Sequence, residues 1–213
     1  MSRLIIFDFD GVLADSVQVV FKMNQEAVAS LNKSLTMEEY CACFEGHINQ
    51  RLAEMYTLDD VQKKELVDLK AVLFPKYYNS DTIQLFSFAR DLVVEASKLG
   101  ELWIVSSSPT ELITGILESY GLVKYFTKII GQNRQPKGEF FKSTLDGRKK
   151  GEVFFITDTT GDIKEIRKTD VEISVLAVAW GFHTVSLLES EKPSVVVHDS
   201  KEIIDFISEH QVV

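Results

Sequence analysis

The chain has 213 residues, 45% of them hydrophobic and 26% charged, the balance of an ordinary soluble globular protein rather than of a disordered or membrane-embedded one. A formal charge of −9 and a pI near 5.0 argue against a general nucleic-acid binder, because phosphate backbones are gripped by clustered Lys and Arg. A small anionic substrate stays open, since it meets only local charge. The length suits one main domain carrying a smaller insertion. The two cysteines, Cys41 and Cys43, have no second pair or histidine cluster beside them and read as reduced thiols, not a metal site. The N-terminal apolar run of MSRLIIFDFD is cut by acids and is too short for a signal core or a membrane span, so the expected location is cytoplasmic.

Short apolar runs recur along the chain at Leu4–Phe9, Leu102–Val105, Phe126–Ile130, Val153–Thr157, Ser174–Ala179 and Ser194–Val197. Runs so continuous in Ile, Val and Phe predict strands buried on both faces, as in a parallel sheet covered by helices. The first interval breaks the βα rhythm. Helix-like stretches fill it at Ser16–Leu31, Thr36–Phe44, His47–Tyr56, Leu58–Tyr78 and Asp81–Leu99. After the second strand, helices are predicted at Pro109–Tyr120, Gly138–Lys149, Gly161–Lys168 and Ser200–Glu209, with Pro109 and Gly121 suited to a helix start and end. The class is α/β, with residues 1–14 and 81–213 as the core. Residues 15–80 form a helical cap over the C-terminal edge of the first strand, where open α/β sheets bind ligands.

Chemistry concentrates at strand ends. In IIFDFDGVLADS the first strand ends in Asp8 and Asp10, followed by a turn at Gly11, so both carboxylates can converge on one pocket. Paired carboxylates with no local base call for a cation, and hard oxygen ligands suit Mg²⁺. Helix capping explains Asp15 and Ser16 but gives no reason for Asp8 inside an apolar strand. ITDTTGD places a second acidic pair, Asp158 and Asp162, at another strand end, where capping by Asp158 and dipole compensation by Asp162 is the plainer reading of that pair alone. LWIVSSSPTELI ends a third strand in Ser106, Ser107 and Ser108 before a Pro-started helix, a setting that binds phosphate oxygens; a simple cap would account for Ser108. Lys137, in QPKGE, opens a helix at the same edge.

These four pieces, in this order, resemble the four motifs of the haloacid dehalogenase-like hydrolase superfamily over Leu4 to about Val197, the first and fourth being the specific ones. The position of the insertion is similar to the phosphoglycolate phosphatase and β-phosphoglucomutase branch. The resemblance implies a Rossmann-like parallel sheet with helices on both faces and an inserted α-helical cap. It implies an Mg²⁺-dependent phosphatase acting on a small phosphorylated metabolite, with neither nucleic acid nor membrane as partner; oligomeric state is left open. By that resemblance Asp8 is the nucleophile, Asp10 the acid and base whose backbone carbonyl also ligates Mg²⁺, and Asp8 and Asp158 are carboxylate ligands. Ser106 and Lys137 hold the phosphoryl oxygens, and Asp162 supports Lys137 or a metal-bound water.

Two departures from the family pattern stand out. NRQPKGEFF replaces the usual Lys-Pro-x-Pro, leaving Arg134 as an alternative to Lys137, and Thr157-Asp158 stands where Gly-Asp is common. Asp10 argues against halide displacement, which needs no acid. Phosphomutase action uses the same residues, and a non-catalytic binding module on this fold is the reading of a different class. Substrate choice falls to the cap, whose polar candidates are Glu45, His47, Asn49 and Arg51 around Gly46; His47, Arg51 and Ser107 are the candidate substrate contacts. His183, in WGFH, follows a strand end and could line the entrance, but a loop histidine with no role is the plainer reading.

Overall fold

Alternate residues of the apolar runs point to opposite sides of one sheet, and two cores follow from that period of two. In the computed structural model, which describes residues 3–45, 48–131, 136–145 and 151–210 with only the backbone of Glu45, Ile5, Phe7, Ile104, Phe154, Ile156 and Val178 share one core. Leu4, Ile6, Val105, Val153, Phe155 and Ala177 share the other. Full burial of each such Phe or Ile contributes about 1.5–3 kcal/mol, so the register of the sheet is strongly specified.

The sheet comprises β1 (Arg3–Phe7), β4 (Gly100–Val105), β5 (Phe126–Ile130), β6 (Val153–Thr157), β7 (Ser174–Val178) and β8 (Val195–Val197). They lie in the order β5-β4-β1-β6-β7-β8 and every pairing is parallel. From β1 the chain fills one side with β4 and β5, then crosses to build the other with β6 to β8. That reversal leaves a crevice at the C-terminal ends of β1, β4 and β6, where ligands of such sheets bind. The first core is covered by α5 (Ala89–Leu99), α6 (Thr110–Ser119) and α10 (Ser200–Glu209), and the second by α7 (Lys137–Thr144), α8 (Thr160–Arg167) and α9 (Val185–Ser190). The predicted α/β class, six strands and helices on both faces are all present.

Between β1 and β4 the helices α1 (Val17–Ala29), α2 (Met37–Ala42), α3 (Ile48–Met55) and α4 (Asp60–Tyr77) build a third core of Met23, Val28, Tyr40, Leu52, Leu66 and Leu73. Thr36 with Glu39, and Asp59 with Gln62, form reciprocal capping boxes that start α2 and α4. Phe182 joins this core from the loop after β7, tilted on Phe44 at 4.3 Å between ring centroids. Among the described residues no helix is long and apolar enough to cross a membrane.

Three local expectations are corrected. The helix predicted from Asp81 begins at Ala89, because Asn79 Oδ1 accepts from the Asp81 and Thr82 N–H groups and holds a turn. The chain then runs extended as β3 (Gln84–Leu85), antiparallel to β2 (Ala14–Asp15), so two short strands bind the way into and out of the insertion. Asp15 and Ser16 do not cap α1: Asp15 lies in β2, and the buried Ser16 Oγ has no hydrogen-bond partner among the described residues. Helix α9 arises in a stretch for which the sequence predicted none.

Candidate active site

Strand β1 ends at Phe7, opposite Ile104 of β4 and Ile156 of β6, so Asp8 emerges level with the ends of both neighbours. Its N–H still donates to the Ile156 carbonyl at 2.9 Å, while its carboxylate has left the sheet. Lys137, the first residue of α7, meets it there: Nζ lies 2.6 Å from Asp8 Oδ2 and 2.7 Å from Asp162 Oδ2. Thr157 Oγ1 donates to the same Asp162 oxygen at 2.7 Å, so the hydroxyl that replaces the usual glycine helps to hold the lysine's second partner. Asp162 therefore touches Lys137 directly. Arg134, the alternative cation, lies outside the described residues.

Burial dominates the electrostatics. Desolvation pushes the Asp8 carboxyl up to about 7 against the opposing pull of Lys137. The Asp158 carboxyl is held well above the ordinary range, first by burial and then by the charge of Asp8. Burial alone would lower the Lys137 ammonium, but Asp162 and Asp8 outweigh it and raise it. One buried ammonium thus faces three buried carboxylates, an excess of negative charge that invites a cation.

Asp158 is enclosed from two sides by glycine. A Cβ at Gly11, which has φ +70°, would stand 2.0 Å from Asp158 Oδ2, and one at Gly181 would stand 2.2 Å from Asp158 Cβ. Phe182 N–H donates to Oδ2 at 2.7 Å, leaving the buried Oδ1 without a partner among the described residues. Trp180 Nε1 donates to the Val12 carbonyl at 3.2 Å, which ties this loop to the DFDGV turn. Asp158 does not serve as a helix cap, since Thr159 caps α8 and accepts from the Asp162 N–H.

No three or more His, Cys, Asp or Glu side chains converge as a ligand set among the described residues. The donors present still fit Mg²⁺, which takes few protein oxygens and keeps several waters: an orphaned buried carboxylate oxygen on Asp158 and the desolvated carboxyl of Asp8.

Asp10 lies on the other side of the turn. Ser108 Oγ is 2.5 Å from Asp10 Oδ2, and the Tyr78 hydroxyl hydrogen-bonds Asp10 Oδ1. Ser108 is therefore no cap, and α6 starts after Pro109 with no side-chain cap. Ser106 is buried, its Oγ accepting from the Ser108 N–H at 3.2 Å, while Ser107 is exposed. Arg51 is half-exposed and pairs along its own helix with Glu54 at 3.4 Å; His47 and the Glu45 side chain lie outside the described residues. A groove of about 720 Å³ between α3 and α4 is lined by Asn49 and Glu54 among others, but by none of Asp8, Asp10, Asp158 and Asp162.

Tyr78, Gly181 and Phe182 were not predicted, because their roles depend on chain segments far apart in sequence. His183 does not line an entrance: it is buried. Its Nδ1 accepts from the Thr160 N–H at 2.9 Å, which puts the proton on Nε2, 2.9 Å from the Cys41 carbonyl of the insertion.

Comparison with known proteins identifies the family and the fold. The model of the haloacid dehalogenase-like hydrolase family matches residues 5–177. A phosphoglycolate phosphatase of Vibrio parahaemolyticus is 22% identical over 97% of this chain and 96% of its own length. The crystal structure of a predicted phosphatase from Clostridium acetobutylicum superposes with a TM-score of 0.81 at 19% identity, covering 98% of this chain and 99% of that one. A haloacid dehalogenase-like family hydrolase from Streptococcus pneumoniae gives 0.80 at 22% identity, covering 96% and 98%. With the acidic strand ends, the lysine that joins them and the family match over most of its length, the chain belongs to the haloacid dehalogenase-like hydrolases.

Proposed function

We propose that the chain is a phosphoric monoester hydrolase that uses Asp8 as nucleophile on a small phosphate ester, with residues 15–80 as a cap over the core. The observation that carries the reading is the buried Asp8 carboxylate, 2.6 Å from Lys137 Nζ and one peptide beyond the central strand. Lys137 neutralises Asp8 against Asp162 and offers its remaining donor capacity to phosphoryl oxygens, which phosphoryl transfer rewards because its demands are positioning and charge stabilisation. Ser106 is set to hold a further phosphoryl oxygen. Asp8 Oδ attacks phosphorus and the ester P–O bond breaks. The Asp10 proton passes to the departing oxygen, and Asp10 then takes a proton from the water that cleaves the aspartyl-phosphate.

Asp8, Asp158 and the Asp10 carbonyl are the residues that would hold Mg²⁺, which supplies charge neutralisation for the phosphoryl oxygens when bound. The curated relatives make 2-phosphoglycolate the first ester to assay. Turnover of 2-phosphoglycolate and p-nitrophenyl phosphate, with Mg²⁺ and with excess EDTA, tests the reading. Turnover that requires Mg²⁺ is the expected result, and inactivity on a broad panel of monoesters contradicts it.

A further inference from the structure

We infer that Tyr78, at the end of the last helix of the insertion, is a positioning residue for Asp10, acting with Ser108 to fix the carboxyl that serves the leaving oxygen. The inference rests on the phosphatase reading and adds to it a residue outside the four motifs.

Asp10 makes no ion pair in the described structure comparable to that of Asp8. Instead each of its carboxyl oxygens meets one neutral hydroxyl: Oδ2 that of Ser108 at 2.5 Å and Oδ1 that of Tyr78. The two hydroxyls are themselves 2.9 Å apart, so the three groups close a ring. A carboxyl engaged at both oxygens has one orientation, and a positioned acid depends on orientation. The ring accommodates both stages of the reaction. When Asp10 carries the proton, that proton points out of the ring to the leaving oxygen while each hydroxyl holds one carboxyl oxygen. After that proton has gone to the leaving oxygen, both hydroxyls donate to the carboxylate.

Tyr78 is itself firmly held. It is 3% exposed, its ring stacks on Phe74 at 5.0 Å, and its N–H donates to the Phe74 carbonyl at 2.7 Å. The Asn79–Thr82 turn follows at once, closed by Ile83 N–H on the Asn79 carbonyl at 2.9 Å. The hydroxyl cannot shift without the end of α4, so the orientation of Asp10 is linked to where the insertion's last helix ends.

Leaving-group dependence separates positioning from general damage. An alkoxide needs the proton of Asp10 to depart, whereas p-nitrophenolate departs without it. Tyr78→Phe keeps the stacked ring and removes only the hydroxyl; Ser108→Ala removes the other contact. In each variant kcat/KM for an alkyl phosphate should fall relative to that for p-nitrophenyl phosphate by about tenfold, a fraction of the 10²–10⁴ a positioned acid supplies. Thermal unfolding and competitive inhibition by inorganic phosphate should match wild type. Equal losses on both esters, or an unchanged ratio in Tyr78→Phe, would overturn the inference while leaving an active, Asp8-dependent wild type as support for the phosphatase reading. A wild type that hydrolyses neither ester overturns both.

Discussion

The floor of the site and the wall facing it are held by different forces. On the floor, Asp8, Lys137, Asp162 and Asp158 are buried charges placed at or just beyond the ends of β1, β6, α7 and α8, within pairing distance of one another or with an oxygen left over. The wall is neutral. Tyr78 and Ser108 reach Asp10 through hydroxyls, and His183 reaches the Cys41 carbonyl through an imidazole. Neutral hydrogen bonds contribute about 0.5–1.5 kcal/mol each, whereas removing one partner of a buried ion pair costs several times more. The charged machinery is thus committed to one geometry by the sheet, while Asp10 is oriented by two hydroxyls, one of them from the insertion.

Breaking the floor should have the largest effect. Asp8→Asn should lower turnover by about 10³-fold or more, since a nucleophile acts as one unit with its neighbours, and leave helical circular dichroism unchanged. Near-normal turnover would remove Asp8 from the mechanism. Next in size, Asp158→Ala should raise the Mg²⁺ concentration for half-maximal activity more than Asp162→Ala does, because Asp158 offers the unpartnered oxygen and Asp162 already serves Lys137 and Thr157. The reverse order would exchange their roles. Gly181→Ala should raise the Mg²⁺ requirement and lower turnover together, because the added Cβ would stand 2.2 Å from Asp158 Cβ. Full activity in that variant would show that the loop relaxes freely.

The smallest effect belongs to the insertion. Burial lowers the Lys70 ammonium to about 8, with Asn49 Oδ1 as its hydrogen-bond acceptor. A lysine depressed in the folded state binds fewer protons there than when unfolded. Stability should therefore rise between pH 8 and about 10.5, by on the order of 1 kcal/mol after allowance for partial exposure. Lys70→Met should flatten that slope in denaturant titrations, and an unchanged slope would rule out Lys70 as its source.

Much of the floor was legible because it is written locally. An apolar strand ending in Asp8 or Asp158 announces itself, and parallel pairing then brings those ends level without further instruction. The same locality exposed the insertion, since helical spacing interrupts the strand rhythm. A simple cap accounts for Ser108 in the sequence because a serine before Pro109 fits that pattern, and only the distant Asp10 and Tyr78 give its hydroxyl another partner. Gly181 and Phe182 look like any loop until the chain returns beside Asp158. The start of α5 was displaced by Asn79, whose side chain satisfies two backbone donors and makes a turn cheaper than another helical start.

The central claim, that Asp8 takes the phosphoryl group, is tested most directly by acid-quenching the enzyme during turnover with Mg²⁺ and mapping the covalent adduct by peptide mass spectrometry. A phosphoryl group on the peptide containing Asp8, lost on standing in active wild type and absent from Asp8→Asn, is the predicted result. An adduct on another residue during productive turnover would contradict it.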